Sequence, residues 1–248
     1  MHSNDLWNAE AAAGYDTPGE GAFADAVLEP AVNALVALAE GGRVLEFAVG
    51  TGRVAVPLLA LGVEVSGIEL SPDMVAQLRT KATATELPVV LGDMSSARAP
   101  GEFTLVYLVF NTIGNLLTQQ AQVDCFRNAA AHLRPGGRFL IELMVPELRQ
   151  LPPGNEARVF TVESGYIGVD TYETVDQQLV SYHFRFGEGT DAKVFHMPQR
   201  YIWPAELDLM AQLAGFEREY RHADFAQSPF TAESTSHVTV YRLPDSAG

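Results

Sequence analysis

The sequence predicts an α/β fold built from parallel βαβ units. Apolar segments typical of buried strands alternate with helical patterns at intervals of about 10–15 residues. The first apolar segment stops at a glycine turn, and polar side chains lie at or near the ends of several segments. Because ligands bind outside the carboxyl ends of the strands in such a sheet, these polar residues predict a site. They are Glu46, Glu69, Asp93, Asn111 and Glu142.

Each predicted element follows from a local pattern. Short runs rich in Val, Ile, Leu and Phe predict strands, and longer runs with apolar residues three or four apart predict helices. Pro135-Gly136-Gly137 is expected to stop the fourth helix and lead into the next strand. The predicted strands cover residues 43–48, 63–68, 87–91, 103–109, 137–143, 216–222 and 235–242, and the predicted helices cover residues 22–39, 53–60, 72–83, 119–133 and 204–214.

The first strand, turn and helix have the features of a nucleotide-binding unit. Gly50 and Gly52 accept a positive φ and let a ligand approach the backbone, and the helical pattern that begins at Arg53 offers free N–H groups. The next strand ends at Glu69, 23 positions after Glu46. This spacing is near the ~20-residue offset expected of a carboxylate that binds ribose hydroxyls. The pattern predicts a cofactor with an adenosine half.

Three further residues favour S-adenosylmethionine (SAM) as that cofactor. The position three after Gly52 is Ala55, where a dinucleotide fingerprint has its third glycine. Glu46 ends the first strand, and its carboxylate would repel a pyrophosphate but could accept hydrogen bonds from an ammonium group or a water. Asp93 could accept a hydrogen bond from an adenine amino group, with Met94 beside the ring. A nicotinamide dinucleotide is the alternative that these residues disfavour.

Five segments in order resemble the class I SAM-dependent methyltransferases, over roughly residues 43–145. The segments are EFAVGTGR, GIELSPDM, LGDM, TLVYLVFNTIGNLL and AAAHLRPGGRFLIEL. Within the class, the chain is similar to small-molecule enzymes such as the bacterial amino-sugar N,N-dimethyltransferases. The resemblance implies a Rossmann-like, doubly wound sheet of seven strands with the last strand antiparallel. One departure is Ala48, which replaces the first glycine of the commonest motif; because alanine is nearly as small, we expect little cost.

The resemblance also implies a set of cofactor residues. For Glu46, capping of the adjacent backbone is the main alternative to a ligand contact. Tyr15 lies in an N-terminal stretch similar to the segment that covers the cofactor in this family, where its hydroxyl could reach the cofactor carboxylate or the substrate amine; packing at the surface is the alternative. The predicted cofactor residues are Tyr15, Glu46, Ala48, Gly50, Gly52, Arg53, Glu69, Leu70, Met74, Asp93, Met94, Val109 and Phe110.

Catalytic and substrate contacts are predicted from fewer observations. Tyr15 and Asn115 are the catalytic candidates, and Asn115 aligns with a histidine that lies near the reacting amine in the amino-sugar enzymes. Its replacement by Asn removes a titratable base. Packing or surface roles are the alternatives for the substrate candidates. These are Phe23, Asn111, Asn115, His183, Arg200 and Tyr201.

Residues 150–203 are predicted to form an antiparallel β insertion after the fifth strand. Alternation over residues 180–186 is typical of a strand, and three or four strands fit the segment, with a hairpin loop at 187–191. The insertion could act as a lid, as an oligomer surface, or as both. We expect residues 1–248 to form a single domain in which residues 1–40 are an N-terminal helical cap.

Composition limits the partners. The net charge is −15 and the 16 Lys and Arg residues are scattered, which argues against nucleic-acid binding and favours a neutral or cationic acceptor. A single cysteine, Cys125, and the lack of a signal-peptide pattern are typical of a cytoplasmic protein, and no apolar stretch approaches the ~20 residues of a membrane span. Glu142 alone offers too few ligands for a metal. Exposed strand edges in the insertion leave a homodimer open.

These observations predict SAM-dependent methyl transfer to a small, natural-product-like acceptor, without a metal. An amine nitrogen is favoured over a hydroxyl oxygen because of the amino-sugar resemblance and the acidic charge. Two alternatives stay open from the sequence. The chain could be a catalytically silent SAM-binding interaction protein, or a nicotinamide-dependent oxidoreductase.

Overall fold

A computed structural model describes residues 7–187 and 192–245. Short 3-10 helices occur at Gly21–Phe23, Thr112–Asn115 and Glu147–Gln150. The α-helices are α1 (Ala9–Ala13), α2 (Asp25–Ala39), α3 (Ala55–Ala60), α4 (Pro72–Leu78), α5 (Gln119–Ala130) and α6 (Pro204–Leu213). The strands are β1 (Val44–Phe47), β2 (Val65–Glu69), β3 (Val89–Leu91), β4 (Phe103–Leu108), β5 (Leu133–Met144), β6 (Ala157–Glu163), β7 (Tyr166–Glu173), β8 (Gln178–Phe186), β9 (Ala192–Arg200), β10 (Glu217–His222) and β11 (Ser236–Arg242).

Seven strands form one sheet in the order β10-β11-β5-β4-β1-β2-β3. Strands β1 to β5 pair in parallel, whereas β11 is antiparallel to both of its neighbours, β5 and β10. Every residue of β1, β2 and β4 is buried. Helices cover both faces of such strands, so their sequences are mostly apolar, although they include buried polar residues such as Glu46 and Glu69. The predicted seven-stranded α/β fold with an antiparallel last strand is confirmed.

Two apolar clusters, one on each face of the sheet, hold the helices in place. Successive residues of β4 point to opposite faces. Leu105 belongs to the cluster that also contains residues of α2 and α3. Val106 belongs to the other, together with residues of α5 and α6. The packing fixes the loops at the carboxyl edge of the sheet relative to one another.

Several predicted boundaries differ from the structure. The prediction that Pro135-Gly136-Gly137 stops the fourth helix is wrong, because α5 ends at Ala130 and these residues already lie in β5. There the pairing of β5 with β4 shifts register, which accommodates the proline and glycines. Helix α4 ends at Leu78 instead of residue 83, because the guanidinium of Arg79 donates to the carbonyl of Leu87 and closes the following loop. Within the N-terminal stretch 9–23, only α1 and the 3-10 turn at Gly21–Phe23 are helical.

The insertion forms a separate antiparallel sheet in the order β6-β7-β8-β9. The insertion therefore has four strands, and the sequence predicted three or four. Tyr172, Leu179 and Tyr201 pack against Met144 and neighbouring residues after β5, which anchors the sheet to the carboxyl edge. The predicted hairpin loop lies outside the described residues, apart from Gly187. Over residues 7–187 and 192–245, no helix combines the length and apolarity needed to cross a membrane.

Candidate active site

The glycine turn between β1 and α3 has a left-handed backbone at three positions. The φ angles are 53° at Ala48, 56° at Gly50 and 83° at Gly52. A Cβ atom on Gly52 would lie 2.3 Å from Cδ1 of Leu78 and 2.9 Å from Cγ2 of Val56, so the turn packs directly on α4. The expectation that Ala48 costs little needs correction, because a non-glycine residue in this conformation costs about 1–2 kcal/mol.

Glu69 joins the end of β2 to this turn. Its Oε2 accepts the Gly50 N–H at 2.8 Å and its Oε1 accepts the Ser71 N–H at 2.9 Å. The side chain is buried, and this burial raises the pKa of the carboxyl, while hydrogen bonds from the backbone of Ser71, Gly50 and Leu70 oppose the shift. Because a carboxylate has about four lone-pair sites, each oxygen can still accept one more hydrogen bond.

A first cavity of about 480 Å³ opens beside Glu69. Asp93 lies on the same cavity, and its Oδ1 accepts the Ser95 N–H at 2.7 Å. The carboxyl ends of three neighbouring strands supply most of the lining, and the loop after β4 supplies the rest. The lining residues are Trp7, Ala48, Ile68, Glu69, Leu70, Gly92, Asp93, Met94, Thr112, Asn115 and Leu116.

The N-terminal segment lies across the turn. The Ser71 hydroxyl donates to the carbonyl of Trp7 at 2.5 Å, and the Thr51 hydroxyl donates to Asp16 Oδ1 at 2.5 Å. Tyr15 stands between these two attachments, with ring contacts to Trp7 at 5.7 Å and to Phe23 at 5.8 Å. Burial raises the pKa of the Tyr15 hydroxyl, which therefore keeps its proton at neutral pH.

Arg53 follows the turn and is held between two aromatic rings. Its guanidinium carbon lies 4.9 Å from the ring centre of Phe110 and 5.9 Å from that of Phe23, and its Nη1 donates to the Ala22 carbonyl at 3.0 Å. No described carboxylate forms an ion pair with it. Arg53 borders a second cavity of about 710 Å³. Its other lining residues are Gly21, Ala22, Val27, Ala31, Val54, Val109, Phe110, Glu142 and Phe225.

Glu46 lies beneath the site, where only 4% of its surface is exposed. The Tyr107 hydroxyl donates to its Oε2 at 2.7 Å. Burial raises the pKa of the Glu46 carboxyl to about 8, although the hydrogen bond from Tyr107 and the charge of Arg53 oppose the shift. Glu46 lines neither cavity, so its contact with a cofactor stays a prediction.

We expect Glu46 to make the stability of the ligand-free protein depend on pH. Its pKa rises from an ordinary value of 4.5 to about 8 on folding, so its stabilising contribution is complete below pH 4.5 and is lost as the pH rises through 8. Thermal denaturation from about pH 5 to about pH 9 should therefore show a Tm that falls by several degrees. Glu46→Gln keeps an acceptor for Tyr107 without a titrating group, and its Tm should fall less. Parallel curves for the two proteins would contradict this assignment.

The loop after β4 contains two further residues with a left-handed backbone, Phe110 and Asn111. Their φ angles are 59° and 61°; this costs Phe110 about 1–2 kcal/mol, whereas Asn adopts the conformation more readily. Glu142 Oε2 accepts the Phe110 N–H at 2.9 Å, and Asn111 Oδ1 accepts the Met144 N–H at 2.6 Å. The sequence placed Glu142 at a strand end near the predicted site but assigned it no contact with cofactor or substrate. Only the backbone geometry of this loop reveals its role.

Met74 lies beneath the turn, with its side chain close to Gly50. Together with the residues above, this brings nearly all of the predicted cofactor residues to one edge of the sheet. Trp7, Thr112 and Leu116 also line the first cavity and were missed. Thr112 and Leu116 flank Asn115 in sequence, which is the one indication that could have found them.

The candidates from the insertion lie apart from both cavities. Arg200 is buried, forms an ion pair with Glu206 at 2.8 Å and donates to Gln122 Oε1 at 2.6 Å. Tyr201 packs against the ring of Tyr172 in the cluster that anchors the insertion. These contacts use the polar groups of Arg200 to attach the insertion to the large sheet.

His183 forms a hydrogen bond through Nδ1 with the Tyr166 hydroxyl at 2.6 Å, within the insertion sheet. Burial lowers the pKa of its imidazole. His183 lines neither cavity, so its contact with a substrate stays a prediction. In residues 7–187 and 192–245, no group of three or more His, Cys, Asp or Glu side chains is arranged to hold a metal ion.

Gln122 links the insertion to the loop that carries Asn115. Its buried amide donates to the carbonyls of Leu116 at 3.0 Å and Arg200 at 3.2 Å. Because the same side chain accepts from the Arg200 guanidinium, the 3-10 turn at Thr112–Asn115 and the end of β9 are held in one arrangement. This fixes the backbone of the turn beside the first cavity.

Comparison with known proteins gives a consistent result. Residues 44–137 match a family model described as a methyltransferase domain. The solved structure of the CcbJ methyltransferase from Streptomyces caelestis is 35% identical in sequence, with a TM-score of 0.85, and the match covers 98% of this chain and 100% of that one. The similarity to CcbJ therefore extends over both sheets.

Two curated relatives are also methyltransferases. The cypemycin N-terminal methyltransferase of a Streptomyces species is 27% identical over 205 residues, which are 81% of this chain and 83% of that protein. The dTDP-3-amino-3,4,6-trideoxy-alpha-D-glucopyranose N,N-dimethyltransferase of Streptomyces venezuelae is 30% identical over 103 residues, 42% of this chain and 43% of that protein. With CcbJ, these relatives favour a methyltransferase over the nicotinamide-dependent oxidoreductase, which was the less favoured of the two alternatives.

Proposed function

Because this chain belongs to the class I SAM-dependent methyltransferases, we propose that it methylates an amine nitrogen of a small, natural-product-like molecule. The observation that carries the proposal is the first cavity, where two carboxylates and the glycine turn meet at the carboxyl edge of the sheet. Glu69 and Asp93 both lie on this cavity. That arrangement matches the polar groups of an adenosine, which are two ribose hydroxyls at one end and an adenine amino group at the other.

The described residues fit SAM in three parts. Glu69 would accept from the ribose hydroxyls, since each of its oxygens retains a free lone pair. Asp93 would accept from the adenine amino group, with Leu70 and Met94 as apolar walls. The amino-acid end would lie toward the glycine turn and Arg53, where the guanidinium provides an unpaired positive charge among the described residues.

SAM supplies an electrophilic methyl group on a sulfonium. The protein then has to align the acceptor nitrogen with that methyl group, and alignment alone can supply much of the rate, because effective molarities in well-oriented cases reach ~10⁵–10⁸ M. A base is needed only if the amine arrives protonated. Tyr15, which covers the turn, and Asn115, which lines the first cavity, are our candidates for holding the acceptor amine.

An amine acceptor is supported by two observations. The name of one relative specifies N,N-dimethylation of an amino sugar, and the name of another is that of a cypemycin N-terminal methyltransferase. The net charge of −15 also favours a cationic molecule over an anionic one by long-range steering. Phe23 and Asn111 lie beside the same turn and loop, and we propose that they line the acceptor side.

The test is a turnover assay that measures release of S-adenosylhomocysteine (SAH). Purified protein and SAM are incubated with a panel of small amines and with a matched panel of phenols and alcohols. We expect product with at least one amine, identified by a mass increase of one methyl group, and the same rate in the presence of EDTA. Glu69→Ala is the inactive control.

Each other outcome has a definite meaning. Product only from hydroxyl compounds would contradict the amine proposal. SAM binding without product from either panel would favour the silent SAM-binding protein. Loss of activity in EDTA that added metal restores would show that the reaction requires a metal.

Four further proposals concern the insertion, the location of the protein and its partners. The insertion sheet, which is anchored beside the carboxyl edge, is proposed to form the wall on the acceptor side. We propose a cytoplasmic location from the single cysteine, and a homodimer stays a prediction that sedimentation would test. Nucleic acid is not expected as a partner, because the charge is unfavourable.

A further inference from the structure

Two neighbouring residues after β4 adopt a backbone conformation that non-glycine residues avoid. Phe110 and Asn111 have φ angles of 59° and 61°. Strain of this kind persists only where surrounding structure holds it, and it is concentrated at functional sites. The loop lies between the two cavities, with Phe110 on the second cavity and Thr112 on the first. The contacts that hold this backbone conformation therefore also hold the loop in place between the two cavities.

Strand β5 holds the loop through three hydrogen bonds. Glu142 Oε2 accepts the Phe110 N–H at 2.9 Å, and the Glu142 carbonyl accepts the Asn111 N–H at 3.3 Å. In return, Asn111 Oδ1 accepts the Met144 N–H at 2.6 Å. Of these contacts, only that of the Glu142 carboxylate fixes the N–H of Phe110 itself.

The strained backbone directs the Phe110 ring toward Arg53. The ring is 48% exposed, so burial in the core does not explain its position. Its centre lies 4.9 Å from the Arg53 guanidinium carbon, and Phe23 lies on the same guanidinium at 5.9 Å. The Nη1 of Arg53 is fixed by the Ala22 carbonyl at 3.0 Å. Arg53 is therefore held in one place without a carboxylate partner among the described residues.

We propose that Glu142 is a positioning residue for the cofactor: it holds Phe110 against Arg53, so that the guanidinium is presented to the carboxylate at the amino-acid end of SAM. This inference rests on the proposed function. Glu142 also lines the second cavity with Arg53 and Phe110, but its proposed role is to act through Phe110. Its effect is then confined to the part of the ligand that Arg53 binds.

The test compares two ligands that differ at this end. SAH carries the amino-acid end, whereas 5′-methylthioadenosine has the adenosine and the sulfur but no amino acid. Isothermal titration calorimetry with Glu142→Ala should show about tenfold weaker binding of SAH and an affinity for methylthioadenosine within about twofold of wild type. Glu142→Gln retains an oxygen that accepts the Phe110 N–H, and it should bind both ligands like wild type.

Two further variants complete the design. Phe110→Ala removes the ring and should give the same selective loss for SAH, and it carries the test if Glu142→Ala does not fold. Glu64→Ala removes a carboxylate that pairs with Arg43 just before β2 and β1, at the edge of the sheet opposite the site, and it should leave both affinities unchanged.

Equal losses for SAH and methylthioadenosine would overturn the inference, because they would indicate a general disturbance of the site. Wild-type affinity for SAH in both Glu142→Ala and Phe110→Ala would overturn it as well. An unchanged affinity for SAH with a raised KM for the acceptor would instead assign Glu142 to the acceptor in the second cavity. If the wild-type protein binds neither ligand, the proposed function itself fails.

Discussion

Glu69→Ala is expected to weaken the binding of SAH by about 100-fold or more. Hydrogen bonds to a charged group contribute ≈ 1.5–3 kcal/mol each, and the carboxylate is proposed to accept from two ribose hydroxyls. A loss of about 2.7 kcal/mol corresponds to 100-fold, so even partial compensation by water leaves a large effect. Calorimetric titration with SAH measures it directly. Wild-type affinity in this variant would reject the assignment of the first cavity to the cofactor.

Part of the loss in Glu69→Ala comes from the turn itself. The same carboxylate accepts the N–H groups of Gly50 and Ser71, and its removal leaves both without their acceptor. Glu69→Gln separates the contributions, because the amide oxygen still accepts one N–H while the charge is lost. We expect an intermediate affinity in Glu69→Gln. Methylthioadenosine, which has the same ribose, should lose as much affinity as SAH in both variants, in contrast to the pattern expected for Glu142→Ala.

Gly52→Val is expected to destroy cofactor binding and to lower stability by about 2–5 kcal/mol. A side chain there meets two obstacles. The φ angle of 83° is strained for any L-residue, at about 1–2 kcal/mol, and the Cβ would lie 2.3 Å from Leu78 Cδ1, where overpacking adds about 1–3 kcal/mol. Urea denaturation gives the stability, and calorimetry with SAH gives the affinity.

Gly50→Ala is the matched control for Gly52→Val. Its φ of 56° is also left-handed, but a Cβ there would have no neighbour closer than Met74 Cε at 3.7 Å. It should therefore lose only the strain, about 1–2 kcal/mol. Gly52→Ala combined with Leu78→Ala would remove the clash with Leu78 but keep the strain and the close approach to Val56 Cγ2 at 2.9 Å. If Gly50→Ala and Gly52→Val are equally destabilised, packing against α4 is not what requires the glycine.

The sequence by itself determined the order of the elements and predicted where the candidate site lies. The runs of β1, β2 and β4 can be recognised because burial on both faces makes them mostly apolar, with a few buried polar residues such as Glu46 and Glu69. Glycines at the turn and acids at the strand ends are legible because they occupy local positions with local requirements. Boundaries were predicted less well, as at α4, where a side chain of Arg79 and not a helix-breaking residue closes the loop.

Tertiary structure decided which polar groups remain free for a ligand. Glu46 pairs with Tyr107, 61 positions away, and Arg200 pairs with Gln122, 78 positions away. Glu142 holds Phe110 across 32 positions. Such pairs depend on strand register and on how the insertion packs on the large sheet, and no local pattern encodes either. A polar residue at a strand end therefore marks a candidate, and only the fold decides whether its hydrogen-bonding groups are already used.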